Sequence, residues 1–159
     1  MRAVALEIPH LWKFVSHARA EVGRALSNFT PSVRAATVMT ASELIENAMK
    51  YGEEVPNLLT IPVRLHADAD RITIEVANGA FTRDRVDKLE ERLDEIARST
   101  NREELYMNRI RTLLENPTEK GGLGLYRIGF EGGFDLTCTF IDSIVTVTAV
   151  RGVHEHGIV

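Results

Sequence analysis

The 159-residue chain has little that points to an extracellular or membrane setting. It has one cysteine, Cys138, which excludes an intrachain disulfide and fits a reducing cytoplasm. Cys138 falls in an apolar strand pattern, so a buried, inert thiol is expected. No apolar run approaches the roughly 20 residues of a membrane-spanning helix. The start, Met1 to Pro9, lacks an apolar core and a small-residue cleavage site, so no signal peptide is expected. Net charge is -4, which gives no sign of a nucleic-acid surface. There is no internal repeat and no low-complexity linker. The single tryptophan, Trp12, reads as an apolar anchor that seals a core or dimer contact.

What remains is an ordinary globular composition, 44% hydrophobic and 26% charged, long enough for one domain with its own core. Val4, Leu6 and Ile8 alternate in a short strand that Pro9 ends. Apolar residues from Leu11 to Leu26 recur at helical spacing, which predicts a helix from His10. Thr30-Pro31 is an N-cap followed by proline at the first helical position, opening a helix to Tyr51 that Gly52 stops. Leu58 to His66 and Arg71 to Ala77 predict a hairpin turning at Asp68-Ala-Asp70. Two amphipathic helices follow between Thr82 and Asn116, the second opened by Asn101 and Glu104. A glycine loop and an apolar segment, Leu125 to Phe130, lead to a last hairpin turning at Asp142-Ser143. The expected architecture is a two-layer α+β sandwich. Its sheet is mixed but mostly antiparallel, with helices on one face and a helical insertion at about 82–116. Residues 1–151 form one domain and 152–159 a tail. His154 and His156 in that tail have metal-ligand spacing without further ligands, so a mobile tail is the stronger reading.

Two segments carry chemistry. Glu43-Leu-Ile-Glu-Asn-Ala-Met-Lys-Tyr-Gly52 puts Glu43 and Asn47 four residues apart on one helix, with Lys50 near enough to reach a phosphate. A carboxylate and a carboxamide so placed suit a nucleophile's proton and a magnesium ion; the alternative is a solvated helix face. Lys120-Gly-Gly-Leu-Gly-Leu125 is a glycine loop whose backbone N–H groups suit phosphate oxygens, or a plain loop-to-helix joint. It lacks the Gly-Lys-Ser/Thr of a Walker A loop. It does not follow the first strand, which argues against a Rossmann site.

Taken in order, the Asn-bearing helix, hairpin, helical insertion, glycine loop and closing hairpin resemble the Bergerat-fold ATPases, the superfamily of gyrase, Hsp90, histidine kinases and MutL. Glu43-x-x-x-Asn47-Ala-x-Lys-Tyr-Gly52 is similar to their N box, and Gly122-Leu123-Gly124-Leu125 to the end of their G2 box, with Lys120 where the first glycine would stand. Leu6-Glu-Ile-Pro9, a helix, and then Ala41-Ser-Glu-Leu-Ile-Glu-Asn47 resemble the small bacterial anti-sigma-factor and partner-switching serine kinases. The long helical stretch from Phe81 to Pro117 looks like the SiaB type.

The resemblance implies an ATP-dependent protein Ser/Thr kinase acting on a separate STAS-type partner, with ATP and magnesium as cofactors and a homodimer plausible for that branch. It gives Asn47 to magnesium and Glu43 to the attacking hydroxyl's proton or to the positioning of a water. Lys50 and Lys120 go to phosphate, and Gly121, Gly122, Leu123 and Gly124 to the phosphate cradle. Residues 116–121 would form part of the ATP lid. The G1 box departs from its pattern. Where relatives carry Asp-x-Gly-x-Gly, this chain reads Val76-Ala-Asn-Gly-Ala-Phe81. Asn78 offers a neutral amide oxygen to the adenine amino group and Gly79 allows close approach, or the pair is a simple turn. That departure supports a second reading, an inactive ATPase-like module that sequesters a regulatory partner; an unrelated α+β domain is the third. A histidine-kinase module would need a second helix beside the one carrying His10 and His17, and none precedes it.

Overall fold

The computed structural model describes residues 1–116 and 122–154. The alternating segments form one five-stranded sheet in the order β1-β2-β3-β5-β4, comprising β1 (Arg2–Ile8), β2 (Ile61–Ala67), β3 (Arg71–Gly79), β4 (Asp135–Ile141) and β5 (Ile144–Gly152). Period-two patterning gives the sheet a dry face and a wet one. Val63, Val76 and Val147 are buried in one cross-strand row. The next row, Ala5, Arg64, Glu75, Thr148 and Thr137, is exposed or half-exposed. All four strand pairings are antiparallel, so the expected mixed sheet is corrected. The hairpins β2–β3 and β4–β5 were legible from their turns. The β1–β2 and β3–β5 pairings are joined through helices, and strand patterning does not encode their direction.

Helices cover the dry face. α1 (Val15–Ala25) packs on β1 and on α2 (Pro31–Tyr51), and α2 lies across β2 and β3. The Thr30 side chain accepts a hydrogen bond from the Val33 N–H at 3.4 Å, and Pro31 follows it, so α2 begins where its cap dictates. α1 begins later than expected. The Leu11 N–H turns back to the Pro9 carbonyl at 2.7 Å, and a 3₁₀ turn at Trp12–Phe14 precedes Val15. Trp12 remains 53% exposed, so it does not seal the core, and of the two expected roles only a contact with another chain is left to it. β2 starts at Ile61 because Val55 and Leu58 close a small turn on each other first.

Between β3 and β4 the chain makes α3 (Arg83–Arg98), α4 (Arg102–Glu115) and the short α5 (Leu123–Arg127), then a π-turn at Ile128–Gly132. Val86, Leu93 and Ile96 are the buried stripe of α3, which packs against β4. The hairpin turns are built as their sequences suggest. Asp68 Oδ1 accepts the N–H groups of Asp70 at 2.8 Å and Arg71 at 2.9 Å, which hold its carboxyl below the usual range. Asp142 and Ser143 take φ of 53° and 64°, a primed two-residue turn. Cys138 is half-buried, and burial pushes its thiol up. Among the described residues no helix is long and apolar enough to cross a membrane.

Candidate functional site

A cavity of about 300 Å³ opens between α2, the β3–β5 part of the sheet, α3 and the start of α5. Its walls are largely apolar, including Leu44, Ala48, Val76, Leu89, Leu125 and Val147, and its size falls at the lower end for small-molecule sites. Asn47 enters from α2 and Asn78 from the end of β3. The Asn78 Nδ2 donates to the Gly79 carbonyl at 3.0 Å, and its Oδ1 accepts no hydrogen bond among the described residues. The half-buried Asn47 side chain has no hydrogen bond among the described residues. Two amides with unused capacity therefore face one apolar space, an arrangement suited to a ligand with polar edges.

Helical geometry decides which residues of α2 reach this space. At about 100° per residue, Leu44, Asn47, Ala48 and Tyr51 share one side and all four line the cavity. Glu43 and Lys50 lie about a quarter-turn away from the middle of that side. Lys50 is exposed and is not part of the lining. Glu43 turns toward α5. Its Oε1 accepts from Arg127 Nη1 at 3.2 Å, while Arg127 Nε donates to Glu131 Oε2 at 2.6 Å. A Cβ added at Gly124 would lie inside contact distance of the Glu43 carboxylate, so that glycine lets the helix approach the acid. Glu43 also borders an open groove of about 720 Å³ between α1 and α2, shared with Arg19, Arg34, Ser42, Glu46 and Arg127. It thus stands against α5, outside the cavity lining, and borders the groove.

The glycine segment is placed in part. Gly122 lines the cavity with φ of 87°, the left-handed conformation that glycine adopts without strain, and begins the turn into α5. Leu123 is the half-buried first residue of that helix. Lys120 and Gly121 lie outside the described residues, as does His156. Gly79 sits just behind the wall formed by Asn78 and Ala80, and its missing side chain makes room for Glu53 and Val55. Among the described residues no group of three His, Cys, Asp or Glu could hold a metal ion. His17 is exposed.

Sequence reasoning missed the cations of α3. Arg85, Lys88 and Arg92 line the cavity. Arg85 Nη1 donates to the Tyr51 carbonyl at 3.0 Å, tying α3 to the end of α2. The signal was present in their spacing, which puts three basic residues on one flank of the apolar stripe.

α5 is fixed to α3 by Tyr126, whose hydroxyl donates to Glu95 Oε2 at 3.0 Å. Burial, then the Glu95 carboxylate, pushes this phenol from 10.0 up to about 12. The contact's stability is therefore complete below pH 10 and is lost as pH rises through about 12. Tyr126→Phe should cost about 1 kcal/mol at neutral pH and should lose less stability than the parent between those two pH values. Urea titrations across the alkaline range check this; parallel curves for the two proteins would contradict it. Compared with known proteins, the chain matches no family model and no curated sequence.

Proposed function

We propose that the chain is an ATP-binding regulatory domain of the Bergerat type that transfers phosphate to a Ser or Thr of a separate STAS-type protein in the cytoplasm. The observation that carries this reading is the convergence of Asn47 and Asn78 on one apolar cavity that ends at Gly122. The apolar walls suit a purine face, Asn78 Oδ1 suits its amino group, and the α5 end suits phosphates. Asn47 fits magnesium as a single oxygen ligand, because that ion takes one or two protein oxygens and completes its shell with phosphates and water. When bound, magnesium would neutralise phosphate charge. Glu43 would take the hydroxyl proton of a partner approaching beside α5.

One observation favours the second reading, a module that binds nucleotide and sequesters its partner without transfer. Glu43 is held by Arg127 and does not line the cavity, so the proton acceptor is engaged elsewhere in this structure.

Thermal melting tests the binding step shared by both readings. At about 100 times its dissociation constant, Mg-ATP should raise the melting temperature by roughly 5–10 °C. Asn47→Ala should remove the shift and keep the fold, since the side chain it deletes has no hydrogen bond among the described residues and alanine suits a helix. Absence of any shift with ATP, ADP or GTP would sink the nucleotide reading.

A further inference from the structure

Among the described residues, the cavity's lining contains three cationic side chains, Arg85, Lys88 and Arg92, and no Asp or Glu. This occurs in a chain whose net charge is -4, and the helix that supplies the three is itself rich in carboxylates. α3 divides its charges by side. Arg85, Lys88 and Arg92 fall within about 60° of arc on a helix of 3.6 residues per turn. Arg83 projects elsewhere and is neutralised there, by Asp87 at 3.1 Å and Glu90 at 3.2 Å. The cavity-facing cations are treated differently. Neither Lys88 nor Arg92 forms an ion pair among the described residues. Arg92 is half-buried, and its guanidinium passes over Gly122, with Cζ and Nε each 2.9 Å from where a Cβ on that glycine would lie.

A guanidinium with no ion pair among the described residues, half-removed from water against the backbone that opens α5, is a costly arrangement unless an anion completes it. We propose that Lys88 and Arg92 form the anion-binding element of this cavity and set its preference for a nucleoside triphosphate over the uncharged nucleoside. The inference rests on the nucleotide reading above and moves the phosphate-binding charge from the α2 residue Lys50 to the insertion helix. Arg85 is the less direct contributor, because its guanidinium already holds the Tyr51 carbonyl.

Calorimetric titration of the full chain with ATP, ADP and adenosine tests it, using Lys88→Gln, Arg92→Gln, Arg92→Lys and Lys50→Gln. Arg92→Gln and Lys88→Gln should each weaken ATP about tenfold and change adenosine by less than about twofold. Arg92→Lys, which keeps the charge, should retain most of the ATP preference, and Lys50→Gln should change neither ligand. Added salt should narrow the gap between ATP and adenosine in the parent more than in Arg92→Gln. An ATP-to-adenosine ratio unchanged in both Gln variants, or a loss confined to Lys50→Gln, overturns this inference and leaves the nucleotide reading standing. A parent protein that binds neither ATP nor adenosine removes both. Melting temperatures of the ligand-free variants separate loss of fold from loss of charge, and Arg92→Lys matching Arg92→Gln despite a parent-like melt also counts against it.

Discussion

Replacing Gly79 with alanine should lower the unfolding free energy by about 1–3 kcal/mol. Glycine is required here because another segment passes over it. The Glu53 N–H donates to the Gly79 carbonyl at 2.9 Å, which draws 53–55 across the end of β3. An added Cβ would meet the two Val55 methyls at 2.7 and 2.8 Å and would collide with the Glu53 carbonyl. The carbonyl belongs to backbone and cannot swing aside, so the segment must lift and its hydrogen bond must lengthen. Asn78 and Ala80 flank this point and line the cavity, so ligand binding should weaken along with stability. Gly23→Ala provides the contrast. That glycine lies inside α1, and its added Cβ would meet Val38 Cγ2 at an ordinary 3.8 Å. The change should stabilise by about 0.5–1 kcal/mol through helix propensity. Urea unfolding of both variants checks the pair, and a Gly79→Ala loss under about 0.5 kcal/mol, typical of a neutral surface change, would refute the crowding argument.

Gly79 also shows where sequence reading ends. The sequence marked it as a place of close approach, and the structure supplies a neighbour from the same chain. Local chemistry was legible wherever a residue acts on its own neighbours. The Thr30 cap, the Asp68 turn and the Asn101 cap, whose Oδ1 accepts the Glu104 N–H at 3.0 Å, all follow from adjacent residues. Direction around a helix was harder to read. Glu43, Asn47 and Lys50 share a broad face by spacing, but the cavity follows the apolar residues Leu44 and Ala48, which places Asn47 at its edge and leaves Lys50 exposed. The place of the α3 cations was not legible for a related reason. Their spacing marks a basic flank, and only the packing of α3 against β4 shows that the flank overlooks a cavity.

Glu43→Gln should reduce phosphate transfer to a STAS-type partner by about 10²–10⁴-fold while leaving the Mg-ATP melting shift in place. The substitution keeps volume and removes the proton acceptor. Its structural cost should be small, because Arg127 keeps its shorter hydrogen bond to Glu131 at 2.6 Å and its side chain is 42% exposed, where ion pairs contribute up to about 1 kcal/mol. Binding should survive because Glu43 lies outside the cavity lining that holds Asn47 and Asn78. The two substitutions therefore divide the site. Asn47→Ala should remove binding and transfer together, whereas Glu43→Gln should remove transfer alone. Labelled ATP with a STAS-type protein reads the transfer, and melting reads the binding. Transfer that persists in Glu43→Gln would exclude this carboxylate as the base. A parent protein that binds Mg-ATP, captures the partner and transfers nothing would establish the sequestering module instead, with the Arg127–Glu43 pair as its physical basis: a carboxylate that faces a guanidinium and the groove is poorly placed to take a proton beside the phosphates.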